Sequence, residues 1–274
     1  LAPAPAPVAS PWRAALAGAG LGLLGLAVVF LLIVRPLLGT AGPQEPANPY
    51  AAYAGAIQAV AFVLAPIEDT PNANAGTAVV LNDSGRLLTA YAVVNDPATD
   101  QPYNRRGQVL IGFRGDGRYA GASLDRWYLA RVVRADRQRD LAVLQIFALQ
   151  DGSPLPNSFR LTPAPLGSSA LLTPGDALAL LSFPLSGQSD LETGRYLAIG
   201  EGRVLGFAAD AALSEPRGWL QSDIALSPDN LGGLALNRQG QIVGLYTGAR
   251  SDDPAIPSLL RPIDLAEPLL AGSR

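Results

Sequence analysis

The 274-residue sequence has no histidine, cysteine, lysine or methionine, and all 20 of its basic residues are arginine. Zero cysteine excludes disulfides, thiolate zinc sites, iron–sulfur clusters and thiol nucleophiles. Zero histidine removes the commonest general base and the commonest metal ligand. Zero lysine removes Schiff-base chemistry and a P-loop lysine. Against 23 acids the arginines leave a net charge of −3, and without a basic run nucleic-acid binding is not expected. The acids form no recognisable glycosidase pair. Asp252-Asp253 reads as a solvated turn, since no calcium-loop signature surrounds it. No cofactor and no metal is therefore implied.

An apolar fraction of 49% is ample for a core and argues against disorder. Ala14 to Val34 is a stretch without charge or proline, bounded by Trp12-Arg13 and Arg35-Pro36. As a helix it would reach about 31 Å, close to the ~30 Å hydrocarbon core, and its flanking Trp and Arg suit the membrane interface. The expectation is a single-pass transmembrane helix within 12–38. Ala14, Gly18 and Gly22 would place small residues on one helix face, which lets another helix approach closely or simply reflects how common Gly and Ala are in spans. Arg13 and Arg35 balance each other, so orientation is weakly marked, and the C-terminal domain is placed on the exoplasmic side. Residues 1–11 alternate Ala and Pro as an extended arm, and 39–59 reads as a linker. After Arg35 the chain carries 18 arginines and 23 acids, a net −5 that should not adhere to anionic headgroups.

From about Val60 short apolar runs alternate with Gly, Pro, Asn and Asp. Thr77–Leu81 and Arg86–Ala90 flank Asn82-Asp-Ser-Gly85, a hairpin signal. Gln108–Phe113, Tyr128–Val133 and Leu141–Ile146 read as further strands. Residues 151–165, Pro-rich and polar, read as a connection. A second set follows: Ala177–Phe183, Gly200–Gly206, Trp219–Ser222, Leu234–Asn237 and Gln241–Tyr246. Helical spacing appears only in the span, at Tyr50–Gln58 and at Pro262–Leu270. Many short strands at regular spacing predict an all-β protein with two barrels, 60–150 and 166–274.

Four colinear blocks carry a family resemblance. Gly76-Thr-Ala-Val-Val-Leu-Asn-Asp-Ser-Gly-Arg-Leu-Leu-Thr-Ala-Tyr-Ala-Val-Val94 resembles the first barrel of HtrA/Deg-type trypsin-like serine proteases, where a "hydrophobic-L-T-x-x-H-V-V" segment bears the catalytic histidine. Arg131–Ile146 is similar to the segment "D-L-A-V-L-K-I" that supplies the aspartate. Leu166–Asp176 resembles "L-G-x-S-x-x-L-x-x-G-D", and Leu220–Gly233 resembles "I-Q-T-D-A-x-I-x-P-G-N-S-G-G", which bears the nucleophile. The resemblance implies a double six-stranded β-barrel of the trypsin-like fold. It puts the histidine position at Ala92, the aspartate position at Asp140, the serine position at Leu231 and the oxyanion-hole glycine at Asp229.

A methyl and an isobutyl group can neither remove a proton nor attack a carbonyl, and a carboxylate at 229 would oppose the developing oxyanion. Asp140 is then expected to accept backbone N–H bonds at the strand entry, with Arg139 or Arg137 as a partner. Leu231 is expected to plug the vacated site, and Asp223 and Asn230 to fix loops. Ser182, Ser222 and Ser227 lack a neighbouring base. No counterpart of the PDZ modules found in many members is recognised. The expectation is a membrane-anchored, proteolytically inactive HtrA/Deg-like domain. It would be an accessory or scaffolding subunit of a membrane protein complex, bound to integral membrane partners through the span and the barrel surface. A peptide-binding regulator or chaperone-like partner of an active protease is the alternative, with a residual serine-type endopeptidase behind it.

Overall fold

A computed structural model describes residues 50–114, 124–184, 197–249 and 258–270. The expected span at Ala14–Val34, with Ala14, Gly18 and Gly22, lies outside them, as do the arm and Asp252-Asp253. Among the described residues no helix is long and apolar enough to cross a membrane.

The chain opens with a 3-10 turn, Ala51–Tyr53, and the helix α1, Ala54–Ala59. The stretch read as linker up to residue 59 is therefore helical in its last nine residues, where Ala56, Ile57 and Ala59 are buried. The strands β1 (Val60–Pro66), β2 (Ala73–Val80) and β3 (Arg86–Ala90) follow, then the single helical turn α2 (Tyr91–Val94). Next come a small ladder of β4 (Asn95–Asp96) and β5 (Gln101–Pro102), and the strands β6 (Gln108–Arg114), β7 (Leu124–Asp136) and β8 (Leu141–Leu149). Strands β1, β2, β3, β8, β7 and β6, in that order, close a six-stranded barrel. The Asn82–Gly85 turn forms as its sequence requires. Gly85 sits at φ +89, a conformation that costs glycine little, and the Asn82 side chain accepts the Arg86 N–H at 2.9 Å.

The second half holds β9 (Ala177–Ser182), β10 (Ala198–Asp210), β11 (Glu215–Ser222), β12 (Leu234–Leu236), β13 (Ile242–Tyr246) and β14 (Ser258–Pro262). They close a second barrel in the order β10, β11, β14, β13, β12, β9. The predicted double six-stranded barrel is thus present. The segment read as one helix, Pro262–Leu270, divides: Pro262 ends β14, a 3-10 turn spans Ile263–Ala266, and only Glu267–Leu270 is α-helical (α3). Pro262, with no N–H and φ near −55, suits a helix start but also ends a strand whose ladder N–H it does not need.

The two barrels meet at Thr77, which is fully buried on β2. Its N–H donates to the Leu231 carbonyl at 2.9 Å. Its carbonyl accepts the Thr89 hydroxyl at 2.7 Å, and its own hydroxyl accepts the Phe183 N–H at 2.9 Å. Phe183 in turn meets Phe62 of β1 edge to face, 5.9 Å between ring centres. Backbones touch here, so side chains are excluded. A Cβ on Gly76 would stand 2.6 Å from a Val93 methyl and 2.7 Å from the Leu231 carbonyl, and one on Gly232 would collide with the Thr77 carbonyl.

Replacing Thr77 by Val keeps the shape but leaves the buried Phe183 N–H without an acceptor. Chemical denaturation should show a loss of about 1–3 kcal/mol, larger than for a Thr→Val change at exposed Thr70.

Candidate functional site

The site expected from the sequence is assembled at this junction. The turn α2 leaves β3 with Tyr91, Val93 and Val94 buried, holding Ala92 half-buried beneath the joint. Its carbonyl accepts the Asn74 amide at 2.7 Å and the Tyr103 hydroxyl at 3.2 Å. Asp140 ends the β7–β8 turn at φ +56, and its carbonyl accepts the Tyr91 N–H at 3.1 Å. Its carboxylate accepts the Ala92 backbone N–H. Ala92 and Asp140 are therefore neighbours, and at Gly76 both Val93 and the Leu231 carbonyl close on the place a Cβ would take. The three expected positions come together.

Burial pushes the Asp140 carboxyl above the usual carboxylate range, against the Thr247 hydroxyl, the positive charge of Arg261 and the Ala92 N–H, which all favour its charged form. Thr247 is buried without a well-formed hydrogen bond, and Asp140 is the group its hydroxyl faces. The expected partners differ: Arg139 pairs with Asp136 at 2.7 Å, and Arg137 donates to the Pro97 carbonyl at 2.8 Å. Arg139 is thus paired inside the turn, and Arg137 reaches across to the β4–β5 loop. The charge that reaches Asp140 comes instead from Arg261 on β14.

Arg261 is 2% exposed, bonded to Asp210 and to the Gly218 carbonyl at 2.8 and 2.9 Å, with its guanidinium 3.6 Å from the centre of the Trp219 ring. Burial alone would raise Asp210. The bond and charge of Arg261, with the N–H groups of Ala212 and Leu213, outweigh it and hold this carboxyl below its ordinary value.

Leu231 follows the 3-10 turn Pro228–Asn230. The turn is fixed by Asn230, whose Oδ1 accepts the Ser227 N–H at 3.0 Å and the Ser227 hydroxyl at 3.2 Å, while its Nδ2 donates to the Ser182 hydroxyl at 2.9 Å. The side chain of Leu231 packs on the core and reaches Gly248, where a Cβ would lie 3.2 Å from its methyl. Its N–H is directed to the Pro228 carbonyl at 3.3 Å. An amide that would have to point at a developing oxyanion is turned into its own turn. Asp229, half-buried, sits in the first turn of this helix. Asp223 fixes a loop by accepting the Arg203 N–H. Ser222 accepts the Ile224 N–H at 3.2 Å. No imidazole stands beside these hydroxyls, because the chain contains none. Among the described residues no three acids gather to hold a metal ion.

The family described as "Trypsin-like peptidase domain" matches residues 76–245, more than half of the chain. The chain belongs to this family. Putative serine protease HhoA of Synechocystis sp. is 30% identical over 196 residues, which is 71% of this chain and 42% of the relative. Serine protease PepD of Mycobacterium tuberculosis is 27% identical over 177 residues, 62% of this chain and 32% of that protein. The chain spans less than half the length of these curated relatives. The crystal structure of Deg5 superposes with a TM-score of 0.58 at 21% identity, covering 80% of this chain and 91% of that one, and shows the same fold.

Residues 92, 140, 229 and 231 are the positions to which the resemblance pointed. Thr77, Thr247, Gly248 and Arg261 were not singled out. The available signal was polarity at inward strand positions: Arg261 stands in Ser-Leu-Leu-Arg-Pro, and Thr77 in Gly-Thr-Ala-Val-Val.

The raised carboxyl of Asp140 has a stability sign. Above its folded pKa the ionised group is buried at a cost, and that cost disappears as pH falls through the folded value toward the ordinary ~3.9. Asp140→Asn accepts the positive φ equally well. It should raise Tm by about 2–4 °C near pH 8 and by nothing near pH 4, as read by thermal melts across that range.

Proposed function

We propose that this chain is a proteolytically inactive HtrA/Deg-like domain, anchored through Ala14–Val34, that works by binding as an accessory or scaffolding subunit of a membrane protein complex on the exoplasmic side. The observation that carries this reading is the replacement of both moving parts of the triad. Ala92 and Leu231 stand at the histidine and serine positions of a chain with no histidine anywhere. A serine protease needs a hydroxyl whose proton a base removes and later returns to the leaving amine. Here Asp140 remains with no ring to orient, and its carboxylate is directed to the Ala92 N–H and faces the Thr247 hydroxyl.

Two further features support a binding role. The Leu231 amide points inward, so the loop lacks that oxyanion donor. The Leu231 side chain covers Gly248. The scaffold keeps its joint at Thr77 while the reactive positions are filled by apolar groups, as expected of a domain retained for its surface.

The purified protein should neither cleave casein nor react with a fluorophosphonate, and Leu231→Ser alone should change neither result, because Ala92 leaves the new hydroxyl without a base. Turnover or labelling by the unaltered chain would end the inactive reading. Extraction in mild detergent should yield the chain together with an integral membrane protein in fixed ratio. A solitary monomer would end the scaffolding reading, and saturable binding of unfolded peptide by that monomer would favour regulation instead.

A further inference from the structure

Strand β7 is longer than the neighbours that cover it. It pairs with β6 from Leu124 onward, but with β8 only from Tyr128, because β8 ends at Leu149 opposite that residue. The chain then leaves the ladder in a tight turn, where the Gly152 N–H donates to the Leu149 carbonyl at 3.0 Å and the Leu149 N–H to the Ser153 carbonyl at 2.9 Å. Leu124–Trp127 is therefore a strand edge in the wall of an otherwise closed barrel. The ladder also says which backbone groups lie on that edge. The Val132 N–H donates to the Gly107 carbonyl at 2.9 Å, and in an antiparallel pair alternate residues bond to the same neighbour. Ala130, Tyr128 and Arg126 accordingly turn their N–H and carbonyl toward β6, whereas Arg131, Leu129 and Trp127 turn theirs toward the β8 side. Arg131 and Leu129 meet Gln145 and Ala148 there. Trp127 meets no β8 partner among the described residues, and its N–H and carbonyl open onto a groove of about 580 Å³ lined by Asp125–Tyr128 and Leu149–Asp151.

A bulge in the β6–β7 ladder between Phe113 and Arg114 interrupts the regular pairing just before this point. The edge thus offers few backbone bonds, and side chains must supply the rest of any affinity. Those side chains select a sign of charge. Asp125 and Asp151 are exposed at the groove. The Ser153 N–H donates to the Asp151 carboxylate at 2.8 Å and helps hold that carboxyl below its ordinary range, so it stays charged. Arg126, the one arginine lining the groove, is engaged by the Arg114 carbonyl at 2.9 Å and lies 5.7 Å from the centre of the Phe113 ring. Trp127 and Tyr128 contribute half-buried aromatic rings. Phosphates and lipid headgroups are disfavoured beside two carboxylates. An N–H and a carbonyl side by side are both satisfied by another extended backbone, and carboxylates with aromatic rings favour positive side chains upon it.

We propose that the β7 edge at Trp127 is a docking site for an extended, basic segment of a partner polypeptide, which adds to β7 as a short antiparallel strand in line with β8. This inference rests on the binding role proposed above and gives that role a surface and a partner chemistry.

The probe is a fluorescein-labelled octapeptide of alternating lysine and valine, titrated by anisotropy against the full chain in mild detergent. Binding should saturate. It should weaken about tenfold when glutamate replaces lysine, and by a similar factor when alternate amides are N-methylated so that no ladder can form. Asp125→Asn with Asp151→Asn, both at exposed positions, should weaken it about threefold with the melting temperature unchanged. Bound peptide should slow hydrogen exchange at the Trp127 amide about tenfold. Absence of saturable binding, equal binding of the N-methylated peptide, or protection confined to other strands overturns the edge site. A chain that co-purifies with a membrane protein yet gives any of those results loses the edge site and keeps the scaffolding role. A solitary monomer that binds the peptide at Trp127 loses the scaffolding role and keeps the edge site.

Discussion

Thr77 carries the constraint on which the rest of the structure depends. Its N–H, its carbonyl and its hydroxyl are all spent, respectively on the Leu231 carbonyl, the Thr89 hydroxyl and the Phe183 N–H. A buried residue with three polar groups is costly unless every one is satisfied. Satisfying them fixes three segments at once: the nucleophile loop, the end of β9 and the neighbouring strand β3. The glycines at 76 and 232 follow, because the backbones they carry are in contact. The joint rests on backbone groups and one buried hydroxyl, and the side chains at 92 and 231 take no part in it.

Side chains at 92 and 231 project from the joint without holding it, so a methyl and an isobutyl group fit and the second adds packing against Gly248. Asp140 is different. Its carboxylate takes the Ala92 N–H, faces Thr247 and feels Arg261, so it stays satisfied without a histidine, although burial opposes its charge. Arg261 in turn is held by Asp210, Gly218 and Trp219. Deleting either member of that buried pair would strand the other. The acid is thus held by its neighbours.

Much of this was legible in the sequence. The β2–β3 hairpin was plain because Asn82 and Gly85 supply both the side-chain acceptor and the positive φ that the turn needs. Strand β1 was not, since Val60–Ala65 is almost wholly buried and shows no alternation to separate strand from helix. Strand β10 was read six residues too short, because bulges between Val204 and Gly206 and between Ala208 and Asp210 break its period. The positions 92, 140, 229 and 231 came from resemblance rather than from pattern. Arg261 was invisible to both, since its partner Asp210 lies 51 positions away, a distance no local spacing reports.

On the proposed reading, Leu231 is a packing residue whose amide is committed inward, in a trypsin-like peptidase domain that acts without cutting. Hydrogen exchange at the Leu231 amide, with and without a peptide boronate that mimics the tetrahedral intermediate, tests this most directly. The account predicts a protected amide, with Thr77 exchanging only through global unfolding, and no change at Leu231 when the boronate is added. A fast-exchanging Leu231 amide that slows on adding the boronate would mean a free donor aimed at an oxyanion, and would contradict it.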